Sequence, residues 1–489
     1  MRGERVVSAW KHADSPRRSR GAACPQMWSA LFALMLVACG TAAAAADAQA
    51  VAADEDPFAS HVRPTDPLSP ADEQAGFILP PGFIAELVAS EETIAKPMNL
   101  AFDDSGRLWV SCSLEYPYAA PLDQPSRDFI KVFEDRDGDG SLETATTFAD
   151  GLNIPIGLVP VADGVICYSI PNIWHLRDTD GDGRADKRTV LYGPMGWQRD
   201  THGMCNAFRQ GPDGWIYACH GFNNETTVSG SDGHEITMQS GNTFRFREDG
   251  SRIEHYTWGQ VNPFGMDFDI HGDLFTADCH TKPVSLLLPE GRYESFGKPH
   301  DGLGFVPAVM DHLHGSTAIG GIAIYDDVRF PEAYRGSSFG GNVMTSRVNR
   351  NRLEHTGSTV RAVAADDFMA AADPWFRPVD LRMGPDGALY VADFYNRIIG
   401  HYEVPLDHPG RDRTRGRIWR IRYSGNDAAP TPALAATRLD TLTTADLVTA
   451  LADANRLRRS LAIERLAAAT TPDIPERLAA LSIQGFRGD

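Results

Sequence analysis

The chain predicts an all-β fold, a six-bladed β-propeller with a short C-terminal α-helical extension. Three observations point there. One strand–turn–strand unit returns along the chain, further strand pairs fill the intervals between its copies, and helical spacing is missing until after Tyr423. Radial repetition of four-stranded sheets is the arrangement that leaves such strands with only short, protected edges.

The copies are LAFDDSGRLWVSC at 100–112, GLVPVADGVICYSI at 157–170, AFRQGPDGWIYACH at 207–220, GMDFDIHGDLFTAD at 265–278 and DLRMGPDGALYVAD at 380–393. GGIAIYDDVRFPEAYRGSSFGGNV at 320–343 fills the gap before the last and makes six; seven blades is the alternative. Aligned on the turn glycine, Trp109, Tyr217, Phe275 and Tyr390 fall on one side of the second strand. A lone strand within PPGFIAELVAS, at 80–90, is expected to complete the last blade and close the ring. The domain reading is a lipoprotein signal peptide at 1–39, a flexible tether at 40–75, the propeller at 76–424, a linker at 425–442 and a helical hairpin at 443–489. One hairpin cannot bury its own apolar face, so it must dock on the propeller or on something else.

Arg17, Arg18 and Arg20 precede the apolar run WSALFALMLVACG, which is short for a membrane span and suits a signal peptide. Its end, LVACG at 36–40, resembles a bacterial lipobox, making Cys39 the expected lipidation site. The alternative is a plain signal peptide cut near the following alanines. Either way the expectation is export to the cell envelope or periplasm, with membrane contact only through the lipid. A formal charge of −19 argues against nucleic acid or an anionic membrane surface as partner. Cys112, Cys167, Cys205, Cys219 and Cys279 remain, an odd number without CxxC or CxxCH spacing, so no structural zinc knuckle and no covalent haem is expected.

Two acidic loops stand 43 residues apart. DRDGDGSLE carries Asp135, Asp137, Asp139 and Glu143, and DTDGDGRAD carries Asp178, Asp180, Asp182 and Asp186. Carboxylates at alternate positions followed by glycine form the first part of a calcium loop. Position 12 is Thr146 or Thr189 instead of glutamate, so the expected calcium is structural; the alternative is a solvated Asp/Gly turn.

Loops entering the innermost strands of a propeller gather at one channel mouth. One residue before a recurring proline the sequence reads Lys96, Ile154, Asn262 and Arg377, and in the third copy His202 lies just outside Met204-Cys205. His202, Asn262 and Arg377 are therefore expected to converge there, a base, an amide and a guanidinium. His202 could equally be a satisfied loop histidine, and Asn262 a turn cap. His220, Asp278 and Asp393 end the following strands and are further pocket candidates, while His312 and His314 could line the channel.

On His202, Asn206, GPDGWIY, VNPFGMDFD and RPVDLRMGPDGALYVAD, the chain resembles the six-bladed soluble quinoprotein glucose and sorbosone dehydrogenases. From Gly82 to Tyr423 it is closer still to the planctomycete-type membrane-bound dehydrogenase propellers, through RDTDGDGRAD, DTHGMCNAF, GNTFRF and GGNVMTSRVNR. The resemblance implies a sugar or alcohol dehydrogenase with His202 as the base taking the hydroxyl proton, hydride passing to pyrroloquinoline quinone, and calcium nearby. It implies Asn262 and Asn342 as cofactor contacts and Arg377 as a partner for quinone carboxylates. Val261 stands where the first family has Arg, and GGNVMTS offers Asn342, Met344 and Ser346 where it has Lys. Without a haem module, electrons would leave through a separate cytochrome carrier. Two other readings are a calcium-stabilised propeller binding glycans or proteins, and a metal-dependent lactonase-type hydrolase.

Overall fold

The computed structural model describes residues 56–485 apart from 296–303, 317, 399–403, 426–431, 433, 470 and 473. The signal-peptide and lipidation readings, including Cys39, lie outside the described residues.

Six sheets follow one another as blades. The innermost strands are Lys96–Phe102, Ile156–Val161, Cys205–Gln210, Asn262–Phe268, Ile319–Ile324 and Pro378–Met383, each neighbouring the next and the last returning to the first. Among the described residues, blades 1, 2, 3 and 6 have four strands, blade 4 has three, the last being Val284–Leu287, and blade 5 has six. A hairpin, Glu225–Ser229 with Glu235–Gln239, is inserted in blade 3. The strand Phe83–Ala89 pairs antiparallel with Arg417–Tyr423 and completes blade 6, closing the ring with the N-terminal strand as expected.

Every innermost strand breaks register with its partner once, at the same height: after Pro97, Ile156, Asn206, Pro263, Ile319 and Pro378. The breaks turn backbone toward the axis, where polar side chains stitch one blade to the next. Asn99 Oδ1 accepts from Gly157 N at 2.7 Å, Asp380 Oδ2 from Leu100 N at 2.9 Å and Asp267 Oδ2 from Ile324 N at 2.9 Å. Gly157 sits at φ 78°, and a Cβ there would meet the Phe208 ring at 2.7 Å, so only glycine lets these two strands approach. Farther out, Trp109, Tyr217, Phe275 and Tyr390 share one station opposite Ala101, Arg209, Asp267 and Arg382. Each packs into the seam with a neighbouring blade, Tyr390 on Phe102 at 4.9 Å and Tyr217 on Phe268 at 5.4 Å. Burying such rings stabilises the ring of blades by roughly 1.5–3 kcal/mol apiece.

The expectation of a flexible tether through residue 75 does not hold for its described part. Ser69 caps a helix, Pro70–Ala75, and Leu68 N donates to Tyr395 Oη at 2.7 Å. Glu73, fully buried, meets Arg417, and Trp375 Nε1 donates to the Thr65 carbonyl at 3.0 Å. A segment that buries a charge-paired side chain and pairs Phe77–Ile78 with Met369–Ala371 is part of the fold.

The C-terminal extension is likewise larger than a hairpin, with helices Thr444–Ala450, Arg456–Ala468 and Ile474–Gly485. Leu439, Leu447, Val448, Leu461 and Leu466 form its own core, and the second helix docks where the innermost strands end. Asn455 Nδ2 donates to the Gly384 carbonyl at 2.9 Å, and Arg456 and Arg459 pair with Asp267 and Asp326 at 2.7 Å each. The docked helix borders a half-open cavity of about 100 Å³ lined by Phe208, Arg209, Asp267, Arg382, Arg456 and Glu464. No disulfide joins the five described cysteines, and burial pushes Cys112 up to about 12, which keeps it a neutral thiol. No described helix is long and apolar enough to cross a membrane.

Candidate functional site

The opposite end of the channel is where the innermost strands begin. The loop 193–204 between blades 2 and 3 carries His202 there, bent by a hydrogen bond from His202 N to Asp200 Oδ1 at 2.7 Å. Asn224 clamps this loop: its Nδ2 donates to the Asp200 and Gly203 carbonyls at 2.6 and 2.9 Å, and its Oδ1 accepts from Arg199 N and Asp200 N. Gly203 is required by close approach, since a Cβ would lie 1.9 Å from the Phe222 carbonyl oxygen.

The His202 ring stacks on Tyr116 of blade 1, with centroids 5.0 Å apart at 25°, and His202 Nδ1 lies 2.5 Å from Tyr116 Oη. Burial first, and Asp200 second, raise the Tyr116 phenol, so it stays protonated. Thr201 Oγ1 to the Pro117 carbonyl, 2.7 Å, ties the same two loops together. Phe394 of blade 6 meets Tyr116 edge-on at 5.4 Å, and Lys96 Nζ lies 5.0 Å from the Phe394 centroid. Lys96 is itself spent: it is buried, donates to the Tyr395 carbonyl and pairs with Asp412 at 2.9 Å, and burial lowers it to about 8.

Asn262 joins this mouth. Its Oδ1 accepts from Phe222 N at 3.0 Å and crowds Gly221, which packs in turn on Gly203 beside His202. Arg377 enters at the same level, its backbone carbonyl accepting from Phe394 N at 2.9 Å. Its guanidinium, however, is buried and directed at blade 5, with Nη1 donating to Ser346 Oγ and the Phe376 carbonyl at 2.9 Å. Burial, then Arg63, lowers it to about 9. The structure thus brings His202 and Asn262 together and seals Arg377 away from the mouth.

Asn342 is buried and holds a turn, donating to Asn349 Oδ1 at 3.0 Å and the His314 carbonyl at 3.3 Å and accepting from Thr345 N. Asp278 and Asp393 bracket strand entries, accepting from Asn262 N and Arg377 N at 2.8 Å each. His220 is satisfied by the Ser240 carbonyl and Thr226 Oγ1, both at 2.8 Å. His312 and His314 both reach Asn351 Oδ1 on the third strand of blade 5, not on an innermost strand. The residues that sequence reasoning missed, Tyr116 and Asn224, come from a blade 1 loop and a blade 3 insertion outside the repeated unit.

The acidic loops join third to fourth strands and therefore lie at the helix-capped end, away from His202. Their folds match: Asp135 accepts from Gly138 N and Gly140 N, and Asp178 from Gly181 N and Gly183 N. Asp135, Asp137, Asp139 and Glu143 converge, as do Asp178, Asp180 and Asp186; Asp182 instead accepts from Arg184 N at 2.8 Å. Slight burial of Asp178 is outweighed by those backbone donors, which lower its carboxyl.

Tested against pyrroloquinoline quinone, a tricarboxylate, the described mouth lacks a three-cation cradle. Arg377 keeps Nε and Nη2 without a hydrogen bond among the described residues but is buried, Val261 is buried and apolar, and Asn342 is committed to its turn.

In fold the chain is similar to an oxidoreductase described as a glucose dehydrogenase from Thermus thermophilus, at 19% identity and a TM-score of 0.46, covering 70% of this chain and 100% of that one. It is similar to the PQQ-bound aldose sugar dehydrogenase from Streptomyces coelicolor at 16% identity and a TM-score of 0.43, covering 71% and 100%. A luciferin-regenerating enzyme matches at 12% identity and a TM-score of 0.45, covering 72% and 99%. At such identities the likeness is one of architecture and assigns no residue a role. No curated protein sequence matches the chain. The family model described as "Domain of unknown function (DUF7133)" matches residues 69–425, and the chain belongs to that family.

Proposed function

We propose that the protein is a propeller oxidoreductase that oxidises a CH–OH group of a sugar or alcohol, with His202 taking the hydroxyl proton. The observation that carries this reading is the imidazole held at the channel mouth against Tyr116, 2.5 Å from Nδ1, on a loop clamped by Asn224. When Nδ1–H donates to Tyr116 Oη, Nε2 holds a lone pair and can accept a proton; the opposite arrangement puts the proton on Nε2. The reading requires the first arrangement, in which Tyr116 Oη accepts and Nε2 is left as the base. Asn262 beside it offers an amide to orient the substrate hydroxyl. The reaction needs a two-electron acceptor; the described mouth offers pyrroloquinoline quinone no cation cradle, so the reading leaves the acceptor's carboxylates without the pairing expected of Arg377, and a separate cytochrome would take the electrons onward. The reading includes structural calcium in the two acidic loops, and export with lipid attachment at Cys39.

The test is reconstitution of purified protein with pyrroloquinoline quinone and calcium, followed by dye reduction across a panel of aldoses and alcohols. The expected result is turnover that falls by at least about 10²-fold in His202→Ala. No turnover on the panel, combined with acid release from lactones or with glycan binding, would replace this reading by a hydrolase or a binding propeller. Calcium should raise Tm by a few degrees and a chelator should reverse the rise, read by calorimetry.

A further inference from the structure

The first turn of blade 4 carries an aspartate, Asp269, whose second oxygen is left without the partners that its counterpart in blade 1, Asp103, has. In blade 1, Asp103 Oδ1 accepts from Ser105 N and Arg107 N, while Oδ2 accepts from Arg107 Nε at 2.7 Å and Trp109 Nε1 at 2.8 Å. Blade 4 keeps the first half of this design, with Asp269 Oδ1 accepting from His271 N at 2.8 Å and Asp273 N at 2.9 Å. It loses the second, because Phe275, which has no donor, fills the station of Trp109, Tyr217 and Tyr390. Asp269 is 5% exposed, and its Oδ2 has no hydrogen-bond partner among the described residues.

Two imidazoles face that oxygen instead. His271 comes from the same turn and His355 from the end of the third strand of blade 5, their rings 5.0 Å apart and edge to face. His355 Nε2 lies 3.6 Å from Asp269 Oδ2, beyond hydrogen-bond length. Ligand atoms from all three residues lie within 4.8 Å of one another. Two ligands held by one zinc ion at its usual bond lengths stand roughly 3–3.6 Å apart, so a small ion between these groups would satisfy the oxygen and close the gap.

We propose that Asp269, His271 and His355 form a binding site for a divalent transition-metal ion, zinc by ligand class, that fastens blade 4 to blade 5. Imidazole with a single carboxylate is the ligand set of zinc rather than of calcium, which takes oxygen ligands only. The position suits a fastening role, since among the described residues blade 4 has three strands where other blades have four or more. Both histidines are exposed, which leaves the site open to ions from solution.

The experiment is calorimetric titration of the full chain, stripped of metal, with zinc chloride in the presence of excess calcium to occupy the acidic loops. One saturable zinc site is expected, weakened at least about tenfold in His355→Ala and in Asp269→Asn. His355 is exposed, so its variant keeps the fold. Zinc should also raise Tm in the wild type and not in His355→Ala. Absence of saturable zinc binding, or equal binding by wild type and His355→Ala, overturns the proposal and leaves His355 as a solvent-side imidazole beside Asp269.

Discussion

At the residue scale the mouth rests on side chains that reach across blades. Asn224 makes four hydrogen bonds to loop 193–204. Asn224→Ala should cost about 1–3 kcal/mol in chemical denaturation, because it strands buried backbone groups, and should lower turnover as His202 loses its seat. Tyr116→Phe should keep the fold yet reduce turnover and change its pH profile, since His202 Nδ1 loses its hydroxyl partner. His202 was legible from its place before an innermost strand, and Asn262 from the proline register. Tyr116 lies 86 residues from His202 and belongs to no repeat, so nothing local announces it. Arg377 shows the converse: its register was read correctly, but which way a guanidinium turns is decided by Ser346 and by burial, neither visible in a motif.

The same scale fixes a pH dependence. Burial lifts Asp278 to about 6, against donors from Thr281, Asn262 N and Val261 N, and lifts Asp380 to about 6, against Arg209. The folded chain holds these protons more tightly than the unfolded chain, whose aspartates titrate near about 3.9. Their contribution to stability is present at acid pH and is lost as pH rises through about 6. Denaturation from pH 4 to 7 should show this fall, and Asp278→Asn should remove up to about 3 kcal/mol of it.

At the element scale the repeats carry most of the fold. Strand pairs, turn glycines and one recurring aromatic were enough to give six blades, and the alternation of PPGFIAELVAS was enough to give the closing strand. The bulges shared by all six innermost strands were not legible, because an extra residue in one strand looks like any other until its partner is known. The N-terminal segment was misjudged for a related reason. Its Ala, Asp and Pro content suits a tether, while its order comes from single long-range contacts such as Glu73 with Arg417 and Thr65 with Trp375. Glu73→Ala should therefore destabilise the protein by about 3 kcal/mol in denaturant titration, since Arg417 is left buried with Glu91 as its remaining ion-pair partner.

At the scale of the whole molecule the channel has two different ends. One gathers His202, Tyr116 and Asn262; the other is closed by the helical extension and flanked by the two acidic loops. On the proposed readings, ions in those loops or at Asp269 would act on stability, apart from the chemistry proposed at the mouth. The sequence showed that the helices must dock but could not show where, because the acceptors Asp267 and Asp326 lie on blades 4 and 5, more than a hundred residues earlier. The central claim, that the mouth breaks a C–H bond next to a hydroxyl whose proton His202 takes, is tested most directly by a deuterium isotope effect. With an aldose deuterated at the reacting carbon, quinone-reconstituted protein should reduce dye several-fold more slowly than with the unlabelled sugar, and the deuterium should be absent from that carbon in the product. Product that keeps its deuterium at that carbon, formed at an unchanged rate, would contradict the claim.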